Sequence, residues 1–199
     1  MKYIVLDMEW NRPVSRNAMI KHPIKLKGEI IQIGAVMLDE NLEEIDNFDV
    51  MICPKFYKRM HKEVEALTSI TTADLESGKS FENAMVDFSS WCGKDSAILT
   101  WGPCDRNRLE ENFIVNNLSY DWLPEIFDAQ LMFDVQETME ERQFSLDYAL
   151  YYFGLSGTKA HNALNDARDT ASVVRELDVD GFIQEEREWR KECESMYVA

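Results

Sequence analysis

Apolar positions along this chain change spacing as the chain proceeds. Early runs are continuous or alternate with period two, as strands require, and predict strands at Lys2–Leu6, Glu29–Leu38 and Ile45–Ile52. The polar turn Asp39-Glu40-Asn41 separates the second from the third. Spacings of three and four follow. Ser80 caps a helix with Phe81, Ala84, Met85, Phe88 and Trp91 on one face and Gly93 just beyond. Ala97–Trp101 reads as a buried strand, and Gly102-Pro103 turns it into a helix that begins near Asp105 and carries Leu109 and Phe113. Glu125–Ala129 is a fifth, short strand. Ser145 caps a helix with Leu146, Ala149, Leu150 and Phe153 inward, ended by Gly154; Ala163–Leu177 and the charged stretch Gly181–Met196 are helical too. This order predicts an α/β fold, a mixed sheet of about five strands flanked by helices. No long repeat or low-complexity linker divides the chain, which reads as one domain over 1–199.

Charge narrows the picture. The 199 residues carry 21 Lys plus Arg against 37 Asp plus Glu, a formal charge of −16. That excludes a broad basic face for coating nucleic acid. Yet nine of the basic residues fall in two segments without an acid, Arg12–Lys27 and Lys55–Lys62. The 22 aromatic residues argue for a packed core. The first apolar run stops at Asp7, too short for a signal peptide, and nothing is long enough to span a bilayer. Cys53, Cys92, Cys104 and Cys193 include no Cys-x-x-Cys pair, so neither a disulfide framework nor a zinc site is expected, and the cytoplasm is the expected compartment.

Three groups of residues could carry chemistry. Asp7-Met8-Glu9 closes the first strand, and period-two alternation puts both carboxylates on one face. Paired acids repel unless a cation lies between them. The chain holds other acid-x-acid triplets, such as Glu63-Val64-Glu65; position at the end of an apolar strand, where α/β folds place ligands, sets Asp7/Glu9 apart. Asp105 stands where strand turns into helix, and alone it reads first as an N-cap. His161 and Asp166, five apart, converge if His161 sits in the loop after Gly157 and Asp166 in the first turns of the helix; otherwise they are a surface His and an acid at a helix N-terminus.

Taken in order, Asp7-x-Glu9, Asp105 and His161-x4-Asp166 resemble the DEDDh exonucleases of the ribonuclease H-like superfamily. The resemblance runs from Tyr3 to about Leu177 and includes Glu29–Val36 (EIIQIGAV), Leu67–Thr71 (LTSIT) and Ser145–Leu150 (SLDYAL). Leu99-Thr100-Trp101-Gly102 looks most like the RNA 3′-end-trimming branch and KapD-type proteins. The resemblance implies a ribonuclease H-like sheet and 3′–5′ hydrolysis of single-stranded nucleic acid, RNA favoured over DNA. It further implies two Mg²⁺ or Mn²⁺ ions on Asp7, Glu9, Asp105 and Asp166, and His161 as general base. Oxygen ligands suit those cations, two metals about 3.5–4 Å apart suit phosphodiester hydrolysis, and imidazole titrates near neutrality.

Many relatives have Thr or Ser after Asp-x-Glu, where this chain has Trp10-Asn11. Met8, Trp10 and Asn11 are therefore candidate substrate contacts, although alternation turns Trp10 away from the acids and favours packing for it, as for Trp101. The basic segments are expected to flank the cleft, with Lys55, Lys58 and Arg59 on the phosphate backbone. Two rival readings are a DNA 3′ exonuclease and a catalytically silent acidic interaction protein of the same fold. The charged terminal helix is expected to pack one apolar stripe on its own domain, and the sequence names no protein partner.

Overall fold

A computed structural model describes residues 1–138 and 142–198. Its strands are β1 (Lys2–Asn11), β2 (Glu29–Leu38), β3 (Glu44–Met51), β4 (Ser96–Thr100) and β5 (Ile126–Asp128), in the spatial order β3-β2-β1-β4-β5. The helices are α1 (Lys62–Thr68), α2 (Thr72–Glu76), α3 (Phe81–Cys92), α4 (Cys104–Asn116), α5 (Ala129–Phe133), α6 (Leu146–Phe153), α7 (Ala163–Val174) and α8 (Val179–Val198). β1 pairs antiparallel with β2 and parallel with β4, and β5 continues the parallel side. This is the expected five-stranded mixed sheet flanked by helices. β2 is buried along its whole length, as its unbroken apolar run requires. One core layer puts Val5, Val36 and Leu99 under α6 and α7; the other puts Ile4, Leu6 and Ile33 under α3 and α4.

The first strand runs on past Leu6 to Asn11, so Asp7 and Glu9 lie within it. Its partner β2 carries the antiparallel ladder to Asn11↔Glu29, with a bulge between Glu9 and Trp10. β4 accompanies β1 only as far as Val5↔Leu99 before the chain turns away. β1 is thus open on that side beyond Val5, which is where a site can form. Three short helices lie outside the sequence expectation: α1 and α2, capped by His61 and by a Thr71–Asp74 capping box, and α5, capped by Asp128. Such segments are too short for a periodicity to declare itself. α8 buries Phe182 and Ile183, but Trp189 and Met196 are exposed, so its apolar stripe is packed only near its start. Among the described residues no helix is long and apolar enough to cross a membrane.

Candidate active site

Four carboxylates from three separate stretches meet beside the open edge of β1. Asp7 and Glu9 project on one face, as alternation requires, and line one cavity with Asp166 and His161. Asp166 arrives because α7 starts directly on the sheet. Gly34 is the register partner of Asp7, and a Cβ there would lie 2.1 Å from the Leu164 backbone nitrogen. Only glycine permits that approach. Gln32, paired with Glu9, fixes the same helix end: its Oε1 accepts from the Ala163 N–H at 3.3 Å. Asn162 caps α7 through the Asn165 N–H.

His161 precedes that cap in the left-handed region, φ 64°, and its backbone N–H donates to Asp166 Oδ2 at 2.8 Å. Asp169, buried on α7, accepts from the Thr158 N–H and hydroxyl and ties down the approach loop. Ligand atoms of Glu9, His161 and Asp166 lie within 4.8 Å of one another. The five-residue spacing therefore converges by the loop-plus-helix route. Asp105 occupies the first turn of α4, just past the Gly102 turn at φ 86°. Its side chain makes no capping bond; Pro103 holds the cap position.

The electrostatics are those of an acid cluster short of positive charge. Burial, then Asp105, Asp166 and Glu9 in turn, push Asp7 well above the usual carboxylate range. Glu9 is raised to about 7 by burial and by Asp166, and Asp105 to about 7 chiefly by burial, against the Met8 backbone N–H that lowers it. Asp166 is raised by burial, partly offset by the His161 N–H. Asp105 Oδ1 is buried without a hydrogen-bond partner, a condition that folded proteins rarely tolerate without a ligand. A hard divalent cation fits this oxygen-rich donor set and would relieve both the repulsion and the orphaned oxygen.

The remaining candidates divide. Trp10 is half-buried, lies against Gly28 and packs on the α3/α4 core layer, yet also lines the cavity. Trp101 packs against the other core layer and donates to the Phe144 carbonyl. Met8 is buried in the core and also borders the cavity. Asn11 is fully buried, its amide donating to the carbonyls of Tyr57 and Arg59 at 2.7 and 2.9 Å. Lys55 is not brought to the cavity: its Nζ lies 3.6 Å from Glu82 and 3.4 Å from Asn116 Oδ1, toward α3 and α4. Lys58 is exposed, and Arg59 lines a neighbouring hollow with Val14, His61 and Glu63. The sequence reading missed the wall that α1 supplies. Glu63, Val64 and Leu67 line the cavity with Arg12, and the only signal was the three-residue step from Val64 to Leu67 behind a capping His61.

A family model described as Exonuclease (RNase_T) matches residues 4–174, and the chain belongs to this exonuclease family, hydrolases of phosphodiester bonds. It is 25% identical over 180 residues to the probable 3′-5′ exonuclease KapD of Bacillus subtilis (strain 168), covering 89% of this chain and 84% of that one. It is 28% identical over 145 residues to a PolC-type DNA polymerase III of Thermotoga maritima, 73% of this chain but 10% of the polymerase. Among solved structures, the nuclease domain of 3′hExo, a DEDDh family member bound to rAMP, aligns with TM-score 0.76 at 19% identity over 88% of this chain and 90% of that one. E. coli exonuclease I in complex with a dA16 oligonucleotide aligns with TM-score 0.66 at 16% identity, over 87% and 40% respectively.

Proposed function

We propose that this chain, as one domain over residues 1–199, is a 3′–5′ exonuclease acting on single-stranded nucleic acid, RNA before DNA. Asp7, Glu9, Asp105 and Asp166 would hold two Mg²⁺ or Mn²⁺ ions, and His161 would be the general base. The observation that carries the reading is the convergence of four mutually repelling carboxylates, one of them Asp105 with its unpartnered Oδ1. Bound there, the cations would acidify the attacking water and stabilise the departing oxygen. The chain's own groups do the rest. Asp166 holds the loop backbone at His161, so that the exposed imidazole stands at the cavity mouth, where it accepts a proton and passes it to solvent. Val64, Leu67 and Trp10 offer apolar surface for a nucleobase beside the carboxylates.

RNA is placed first because of the likeness of Leu99–Gly102 to the RNA-trimming branch and the near-complete mutual coverage with the rAMP-bound 3′hExo domain. The exonuclease I likeness and the polymerase match make DNA the second reading. Matched 5′-labelled RNA and DNA oligonucleotides, incubated with Mg²⁺ or with EDTA, decide between them, because RNA alone offers the 2′-hydroxyl. A Mg²⁺-dependent ladder shortening from the 3′ end, faster on RNA, is expected. Faster DNA trimming reverses the substrate order. No trimming of either leaves the silent interaction protein as the reading.

A further inference from the structure

The cavity carries a pair of charges for which metal chemistry has no use. Arg12 Nη2 meets Glu63 Oε2 at 2.7 Å, and both residues line the cavity that holds Asp7, Glu9 and Asp166. Arg12 is the one Lys or Arg among the described residues lining it. The pair stands on fixed backbone. Asn11 Oδ1 accepts from the Arg12 N–H and from the His61 N–H, each at 2.9 Å, locking the end of β1 to the start of α1. The Arg12 and Glu63 side chains are 46% and 75% exposed, so their ion pair adds little stability and is open to competition from an incoming anion.

We propose that Arg12 binds a phosphate of the substrate strand and that Glu63 is its built-in competitor, so that the pair parts when the strand seats and closes again when it leaves. The inference rests on the exonuclease reading and adds to it the residues that grip the strand. A guanidinium offers phosphate the same fork it offers carboxylate, so one charge-assisted contact replaces another while Glu63 turns to water. The surroundings make Arg12 matter. The chain carries −16 overall, and the other charged groups in the cavity wall are acids. Arg12 is thus the cavity wall's own cation for a polyanion, beside the cations the acids would hold, and Glu63 keeps its attraction weak enough for release.

The test is the Kd of a 5′-fluorescein single-stranded RNA oligonucleotide, measured by anisotropy in Ca²⁺ across a salt series for wild type, R12Q, R12K and E63Q. The two neutral substitutions should act in opposite directions. R12Q weakens binding about tenfold, the weight of one charge-assisted contact, and lowers the salt slope by about 0.7. E63Q tightens binding about threefold, as removal of a competitor requires, and R12K falls between R12Q and wild type. If R12Q and E63Q shift Kd in the same direction, or neither shifts it by more than about twofold, the pair is structural and the proposal fails, while the exonuclease reading stands on wild-type binding and trimming. Wild type that binds neither this oligonucleotide nor its DNA counterpart overturns both.

Discussion

Glu29 and Asp105 are both buried carboxylates, 4% and 5% exposed, and both belong to the elements around β1, but their surroundings are opposite in kind. Glu29 accepts backbone N–H groups from Lys55, Phe56 and Tyr57, which lower its pKa against the rise that burial causes. It is a bolt: with its ladder partner Asn11 it fastens the 55–61 loop on which α1 stands. Asp105, raised first by burial, faces Glu9, which raises it further, with Arg108 as a weaker opposing charge, and has an oxygen with no partner. Burial alone therefore does not mark a site. An orphaned oxygen alone does not mark it either, since Asp134 Oδ1 is also buried without a partner. What marks it is such an oxygen within a cluster of carboxylates that repel one another, an arrangement that persists only if something else completes it.

The contrast can be broken by substitution. On the proposed metal ligation, D7A and D166N should lower Mg²⁺-dependent trimming by at least about 10³-fold, read as initial rates on a 5′-labelled oligonucleotide, because each would remove an oxygen proposed to hold a cation. If D7A trims at the wild-type rate, the acid cluster is not the active site. E29Q should do the reverse. It leaves one acceptor oxygen for the three backbone N–H groups that share the carboxylate, sets an NH₂ against at least one of them, and should cost about 2–3 kcal/mol of stability, measured by urea unfolding. An E29Q protein as stable as wild type would show that the loop is fastened some other way.

How far the sequence could be read differs between the two sides of the cavity. Asp7 and Glu9 were legible because period-two alternation holds whatever else the chain does. The five-strand order of elements and the helix α7 were legible from apolar spacing, although the expected helix ran on to Leu177 where α7 ends at Val174, and the His161–Asp166 convergence needed only a loop followed by a helix. The α1 wall was not legible. Glu63-Val64-Glu65 looks like other acidic triplets, and what brings Glu63 to the cavity is a side-chain bond across 50 residues, from Asn11 to the His61 N–H. Lys55 shows the converse. It belongs to a basic segment that sequence places at the cleft, but Glu29 holds its backbone N–H and its ammonium turns to Glu82. Local charge content does not say which way a loop faces.

If the acid cluster is incomplete without divalent cations, the melting temperatures of wild type and D7N will show it, in EDTA and in Mn²⁺, at about pH 6 and pH 8. Glu9 and Asp105 are raised to about 7, so the native metal-free protein holds protons that the unfolded chain has already released. This cluster's contribution to metal-free stability accordingly falls as pH rises through 7. Mn²⁺ should raise the wild-type melting temperature, and by more at pH 8, where it no longer competes with those protons. D7N in EDTA at pH 8 should melt above wild type by roughly 2–8 °C, the effect of relieving about 1–2 kcal/mol of repulsion, and should gain less from Mn²⁺. A wild-type protein indifferent to Mn²⁺ at both pH values, or a D7N protein stabilised by Mn²⁺ as much as wild type, would contradict the account.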